Sequence, residues 1–97
     1  MRFRLLQPAL RELREAAKYY DDRVPGLGVD FLLEVRAAIR RILLHPEAWF
    51  ALDEEIRRCR IHRFPYGIIY TVEKEEVLIN SVMHLHRHPE SWRMNLP

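Results

Sequence analysis

Phe31, Leu32, Val35, Ala38, Ile39, Ile42 and Leu43 recur at three- and four-residue steps between about Leu27 and His45, and Pro46 stops the pattern. That spacing puts the apolar side chains on one stripe of an α-helix, and such a stripe is stable only when a second layer covers it. A second amphipathic stretch precedes it. Leu10, Leu13, Ala17 and Tyr20 share one side, while Arg11, Glu12, Arg14, Glu15 and Lys18 take the rest, until Asp21-Asp22 and Pro25-Gly26 break the helix. The tight Val24-Pro25-Gly26 link predicts a helical hairpin.

Strand patterns lie on either side of this hairpin. Phe3 and Leu5 alternate with Arg4 and Leu6 before Pro8, which is tolerated in the first turn of the helix that follows. Residues 46–55 read as a loop, with Trp49 and Phe50 tucked against the helices and Asp53-Glu54-Glu55 in water. Cys59 and Ile61 then alternate with Arg58, Arg60 and His62. Tyr66 to Val72 is β-branched and aromatic, Val77 to Met83 is mostly apolar, and Lys74-Glu75 forms a polar hairpin tip. The expected class is α+β in the order β-α-α-β-β-β. The hairpin covers one face of a small, mainly antiparallel sheet and leaves the other open to a partner. With 97 residues, 48% of them hydrophobic, residues 1–97 form a single domain.

Charge narrows the partners. Sixteen basic residues against 14 acidic ones give a formal +2, too little for a wholly electrostatic nucleic-acid binder. The one cysteine, Cys59, excludes an internal disulfide, and no apolar run approaches the roughly 20 residues that cross a bilayer. No hydrophobic signal core precedes Pro8, so a cytoplasmic protein without a membrane partner is expected. Placement of charge matters more than its total. Arg57, Arg58, Arg60 and Arg63 stand between Ile56 and Val72 with no acidic residue among them. Period-two geometry sends Arg58, Arg60 and His62 to one face and Arg57 and Arg63 to the other. A guanidinium fork suits phosphate or carboxylate, which makes Arg58, Arg60 and Arg63 candidates for holding phosphate or an acidic partner. The alternative is a solvated strand face balanced by Asp53, Glu54, Glu55, Glu73, Glu75 and Glu76.

His84, His86 and His88 alternate near the end of the last strand. Two imidazoles at that spacing reach a single zinc ion, but no Cys-x-x-Cys or His-Glu-x-x-His pattern supports them, so neither a metal nor a cofactor is expected. Proton transfer is a second reading, with Arg87 favouring the neutral form of its neighbours. A structural polar edge is the third. Tyr66, Tyr70 and Trp92 offer faces for stacking on bases, though Tyr70 and Trp92 fit packing better, and Cys59 reads as a small buried hydrophobe.

Taken in order, these pieces resemble the RelE/ParE superfamily of bacterial type II toxins, which includes ParE-like plasmid stabilisation proteins. The resemblance spans nearly the whole chain. It rests on Leu10-x-x-Leu13-x-x-Ala16 with Tyr19-Tyr20, Pro25-Gly26-Leu27-Gly28 before Phe31-Leu32-x-x-Val35, Pro46, the arginine strand, Phe64-Pro65-Tyr66-x-Ile68-x-Tyr70, and Val82-x-His84-x-x-Arg87-x-Pro89-x-x-Trp92. It implies a growth inhibitor neutralised by a cognate antitoxin that wraps the sheet and helices. ParE relatives act on DNA gyrase. RelE relatives cut messenger RNA on the ribosome, and in this chain that chemistry would fall to His84, His86 and Arg87 beside the basic strand. Such nucleases usually carry an arginine shortly before the tyrosine that is Tyr70 here, where this chain has Gly67, and this chain has only two lysines, Lys18 and Lys74. The resemblance therefore points first to a ParE-like toxin, with the nuclease and a non-toxic antitoxin-binding module as alternatives.

Overall fold

A computed structural model describes residues 1–86 and 90–96. The chain runs β1 (Arg2–Leu5), α1 (Gln7–Arg23), α2 (Leu27–Leu44), β2 (Phe50–Ala51), β3 (Arg57–Arg60), β4 (Tyr66–Glu73) and β5 (Glu76–His84), and closes with a 3₁₀ turn at Ser91–Asn95. This is the expected α+β order with one added strand, β2, inside the segment read as a loop. The five strands lie in the order β1-β5-β4-β3-β2. Among the described residues only β1 and β5 pair in parallel. No helix among the described residues is long and apolar enough to cross a membrane.

Both helices pack on one sheet face. Phe31, Val35, Ala38 and Ile42 of α2 meet Cys59, Ile68, Tyr70, Val77 and Ile79 of the sheet in the main core, with Leu13, Ala17 and Tyr20 of α1 packed against it. The hairpin closes tightly because Gly28 sits against α1. A Cβ there would lie 2.5 Å from the Ala17 carbonyl oxygen and 2.8 Å from Asp21 Cβ. Asp21 Oδ1 accepts hydrogen bonds from the Gly26 and Gly28 N–H groups, which satisfies two backbone donors at the start of α2 beside the Leu27 N–H that donates to the Val24 carbonyl. The expected apolar stripe of α2 is correct except at its flank, where Leu32 is 42% exposed beside the exposed Val29 and Leu33.

The opposite sheet face is less open than the sequence suggests. Ile56, Ile69, Met83 and Trp92 form a second small core there, with Leu52 and Leu85 against it. Trp92 and Tyr70 are both buried, as packing residues. Phe50 is 62% exposed, contrary to expectation, because β2 pairs it with Arg58 on the sheet edge instead of folding it under the helices; Trp49 alone joins the core.

β5 contains the main irregularity. Its pairing with β4 shifts between Ile69 and Tyr70, opposite Ser81 and Ile79, so Asn80 is an extra residue. Beyond Ile79 the β1 side of β5 has no strand partner, since β1 ends at Leu5. Glu12 fills that place from α1: its Oε1 accepts from Val82 N at 3.0 Å, Ser81 Oγ at 2.9 Å and Asn95 Nδ2 at 3.2 Å.

Candidate anion site at the edge of the sheet

Strand parity decides which predicted residues meet. Arg58 pairs with Ile69 and Arg60 with Gly67, so both side chains leave the face away from the helices; Arg57 and Cys59 take the other face. Arg57 donates to the Trp49 carbonyl at 2.8 Å. Arg63 stands apart in the turn before β4, in the left-handed region at φ 72°, 3.4 Å from Asp30 and over the Phe64 ring. Its charge is thus partly met by the chain's own carboxylate. Arg58 and Arg60 have no carboxylate within ion-pair distance among the described residues.

A cavity of about 340 Å³ opens beside these two, lined by Arg41, Trp49, Phe50, Arg58, Arg60 and His62. The Arg58 guanidinium stacks 4.9 Å from the Phe50 ring centroid. Arg41 donates to the Arg60 carbonyl at 3.1 Å, which draws α2's basic end to the strand. Two donors on the wall, Arg58 Nε and Trp49 Nε1, are buried and find no acceptor among the described residues. A buried donor without a partner costs about 1–3 kcal/mol, more when it is charged. Gly67 leaves room for this arrangement. A Cβ there would lie 3.0 Å from Leu85 Cδ2 and 3.1 Å from Arg58 Cγ, so a larger residue would make the Arg58 stem and Leu85 give way by a few tenths of an ångström.

His84 lies elsewhere. It pairs with Tyr66 on the helix-facing side of the sheet, its ring 5.1 Å from that tyrosine, and its Nδ1 accepts from the His86 backbone N–H at 3.2 Å. The fold brings His84 and His86 together, 5.9 Å between ring centroids, but not onto the face that carries Arg58 and Arg60. Arg87 is outside the described residues. The histidine beside the arginines is His62. Sequence reading placed His62 on the same face as Arg58 and Arg60; it missed Arg41, Trp49 and Phe50, whose neighbours in the site come from other elements. Burial raises the Cys59 thiol above its ordinary value and pushes the Tyr70 hydroxyl up to about 12, so neither is poised to give up a proton near neutrality. Tyr70 instead donates to the Pro46 carbonyl. Among the described residues no three His, Cys, Asp or Glu side chains gather to hold a metal ion.

The fold is similar to a solved chain described as "Chromosomal ParDE TA system from P. aeruginosa", with a TM-score of 0.75 at 14% identity over 87% of this chain and 95% of that one. A comparison with curated proteins finds no match. The family described as "ParE toxin of type II toxin-antitoxin system, parDE" matches residues 3–89, a span that reaches all five strands and both helices, and the chain belongs to the ParE toxin family.

Proposed function

We propose that this chain is a cytoplasmic growth inhibitor that binds DNA gyrase stoichiometrically and is silenced by a cognate antitoxin whose acidic residues seat on Arg58 and Arg60. The observation that carries the antitoxin reading is a cavity walled by guanidinium groups in which Arg58 and Arg60 have no carboxylate within ion-pair distance among the described residues. A carboxylate supplies what both lack. The exposed apolar side chains of Val29, Leu32 and Leu33 on α2 give an amphipathic segment a second place to bury surface. Action on gyrase rests on family membership, and it is supported by the separation of His84 from the exposed arginines and by Gly67 in place of a strand arginine.

Purified protein at stoichiometric excess is expected to block gyrase supercoiling or trap cleaved DNA; an unaffected enzyme would remove the reading. Arg58→Ala with Arg60→Ala is expected to weaken the antitoxin complex by roughly 2–5 kcal/mol, since each loses a desolvated charge contact. Calorimetric titration checks this, and an unchanged affinity sinks the proposed seat.

One observation favours a second reading. His62 lies in the arginine cavity, so a base stands beside cations able to hold a phosphate. A ribosome-dependent nuclease built this way would cut translated messenger RNA and lose the cuts on His62→Ala, whereas the constellation of His84, His86 and Arg87 predicts loss at those residues instead. Intact transcripts in translating extracts would leave the gyrase reading alone.

A further inference from the structure

The outer sheet face holds a second cavity of opposite charge. Asp53, Glu54, Glu55 and Glu73 rim a cleft of about 540 Å³. Asp53 is held by its own turn, Oδ1 accepting from the Glu55 and Ile56 N–H groups at 2.9 and 3.0 Å. Glu54, Glu55 and Glu73 are exposed and form no ion pair among the described residues. Carboxylates on a surface loop and hairpin are by themselves only well hydrated. The floor is different: Ile56 and Leu78 are buried and apolar, and Asn80, only 2% exposed, lines the same cleft with its Nδ2 buried and lacking an acceptor among the described residues.

That donor selects the ligand. A metal ion or a simple ammonium satisfies the rim but has no acceptor for the Asn80 Nδ2 donor. The ligand must combine a cation, an apolar stem and an oxygen acceptor. An arginine residue within a peptide has all three: a planar fork for two carboxylates, a methylene stem for Ile56 and Leu78, and a backbone carbonyl for Asn80. We propose that this cleft is a binding site for an arginine residue carried on an extended segment of a protein partner.

The register adds an order of charge. Arg60 and Arg58 stand opposite Gly67 and Ile69 of β4, while the acidic cleft is lined by Thr71 and Glu73 of the same strand. Gly67 to Glu73 spans roughly 20 Å at strand rise. The two cavities of opposite charge therefore lie toward opposite ends of β4, with the small core of Ile56, Ile69, Met83 and Trp92 between them. The cleft's existence does not depend on the toxin reading.

The test is a titration of ¹⁵N-labelled protein followed by amide spectra, with the peptide acetyl-Gly-Arg-Gly-amide as probe. Two controls separate its features: the citrulline peptide keeps the carbonyl and loses the charge, and butylguanidine keeps the guanidinium and stem and loses the peptide carbonyl. The arginine peptide is expected to shift the Asn80 side-chain amide and residues 53–56 and 71–73. Binding should fall by about fivefold with either control and with the surface variant Glu54→Gln/Glu73→Gln. Asn80→Leu should abolish the preference over butylguanidine. An unmoved Asn80 amide, equal binding of the citrulline peptide, or equal binding of butylguanidine overturns the site. The probe controls decide the matter on the native chain even where Asn80→Leu fails to fold.

Discussion

Tyr70 is a residue whose chemistry is set chiefly by burial. Its ring lies in the core between β3 and β5, its hydroxyl donates to the carbonyl of Pro46, and its ionisation is pushed up to about 12 by loss of solvent. The sign of the pH dependence follows. The unfolded chain releases this proton near 10, the folded chain only near 12, so the stabilisation is complete below pH 10 and is lost as pH climbs through that window. Denaturant midpoints are expected to fall across that interval, and Tyr70→Phe should flatten this component of the decline while costing about 1 kcal/mol at neutral pH for the lost hydrogen bond. An unchanged alkaline slope in the variant would assign the decline to other groups. Residues like Tyr70 were readable as packing from their apolar neighbours. The orphan donors of Arg58, Trp49 and Asn80 were not, because an unmet hydrogen bond depends on what is missing around an atom in space.

At the scale of the element, α1, α2, β4 and β5 announce themselves through periodicity, and their bounds differ from the sequence reading by only a residue or two. β2 is two residues long, too short for any alternation to register, and its pairing with β3 is what turns Phe50 outward. The bulge at Asn80 is equally silent, since Val77 to Met83 reads as one apolar run. Its unpaired donors are met by Glu12, far away in sequence, and no local pattern links the two. Glu12→Ala is expected to cost about 2–3 kcal/mol, because Val82 N–H and Ser81 Oγ are left in a part-buried place without their acceptor. Thermal unfolding measures the loss. Glu12→Gln should recover part of it through the remaining amide oxygen, and equal losses in the two variants would show that the acceptor is not what matters.

For the whole molecule, the order of elements gave the family, while the site had to be assembled from parts. Arg58 and Arg60 could be assigned to one face from strand period alone. Arg41 reaches them from the end of α2 and Trp49 from the following turn, so the cavity exists only once the hairpin rests on the sheet. Removing residues 1–5 tests how far the assembly depends on β1. The truncation deletes the parallel ladder from Arg2–Glu76 to Leu5–Ile79 and bares one edge of β5. A lower melting temperature and concentration-dependent association are expected, and a monomer as stable as the full chain would make β1 dispensable. The same ladder joins the first strand of the domain to its last, so the strand made first waits for the one made last. Until β5 emerges, β1 has nothing to pair with and β4 lacks its central neighbour. A partly synthesised domain therefore cannot acquire its finished form before β5 is made, an interval in which a partner already present can meet it first.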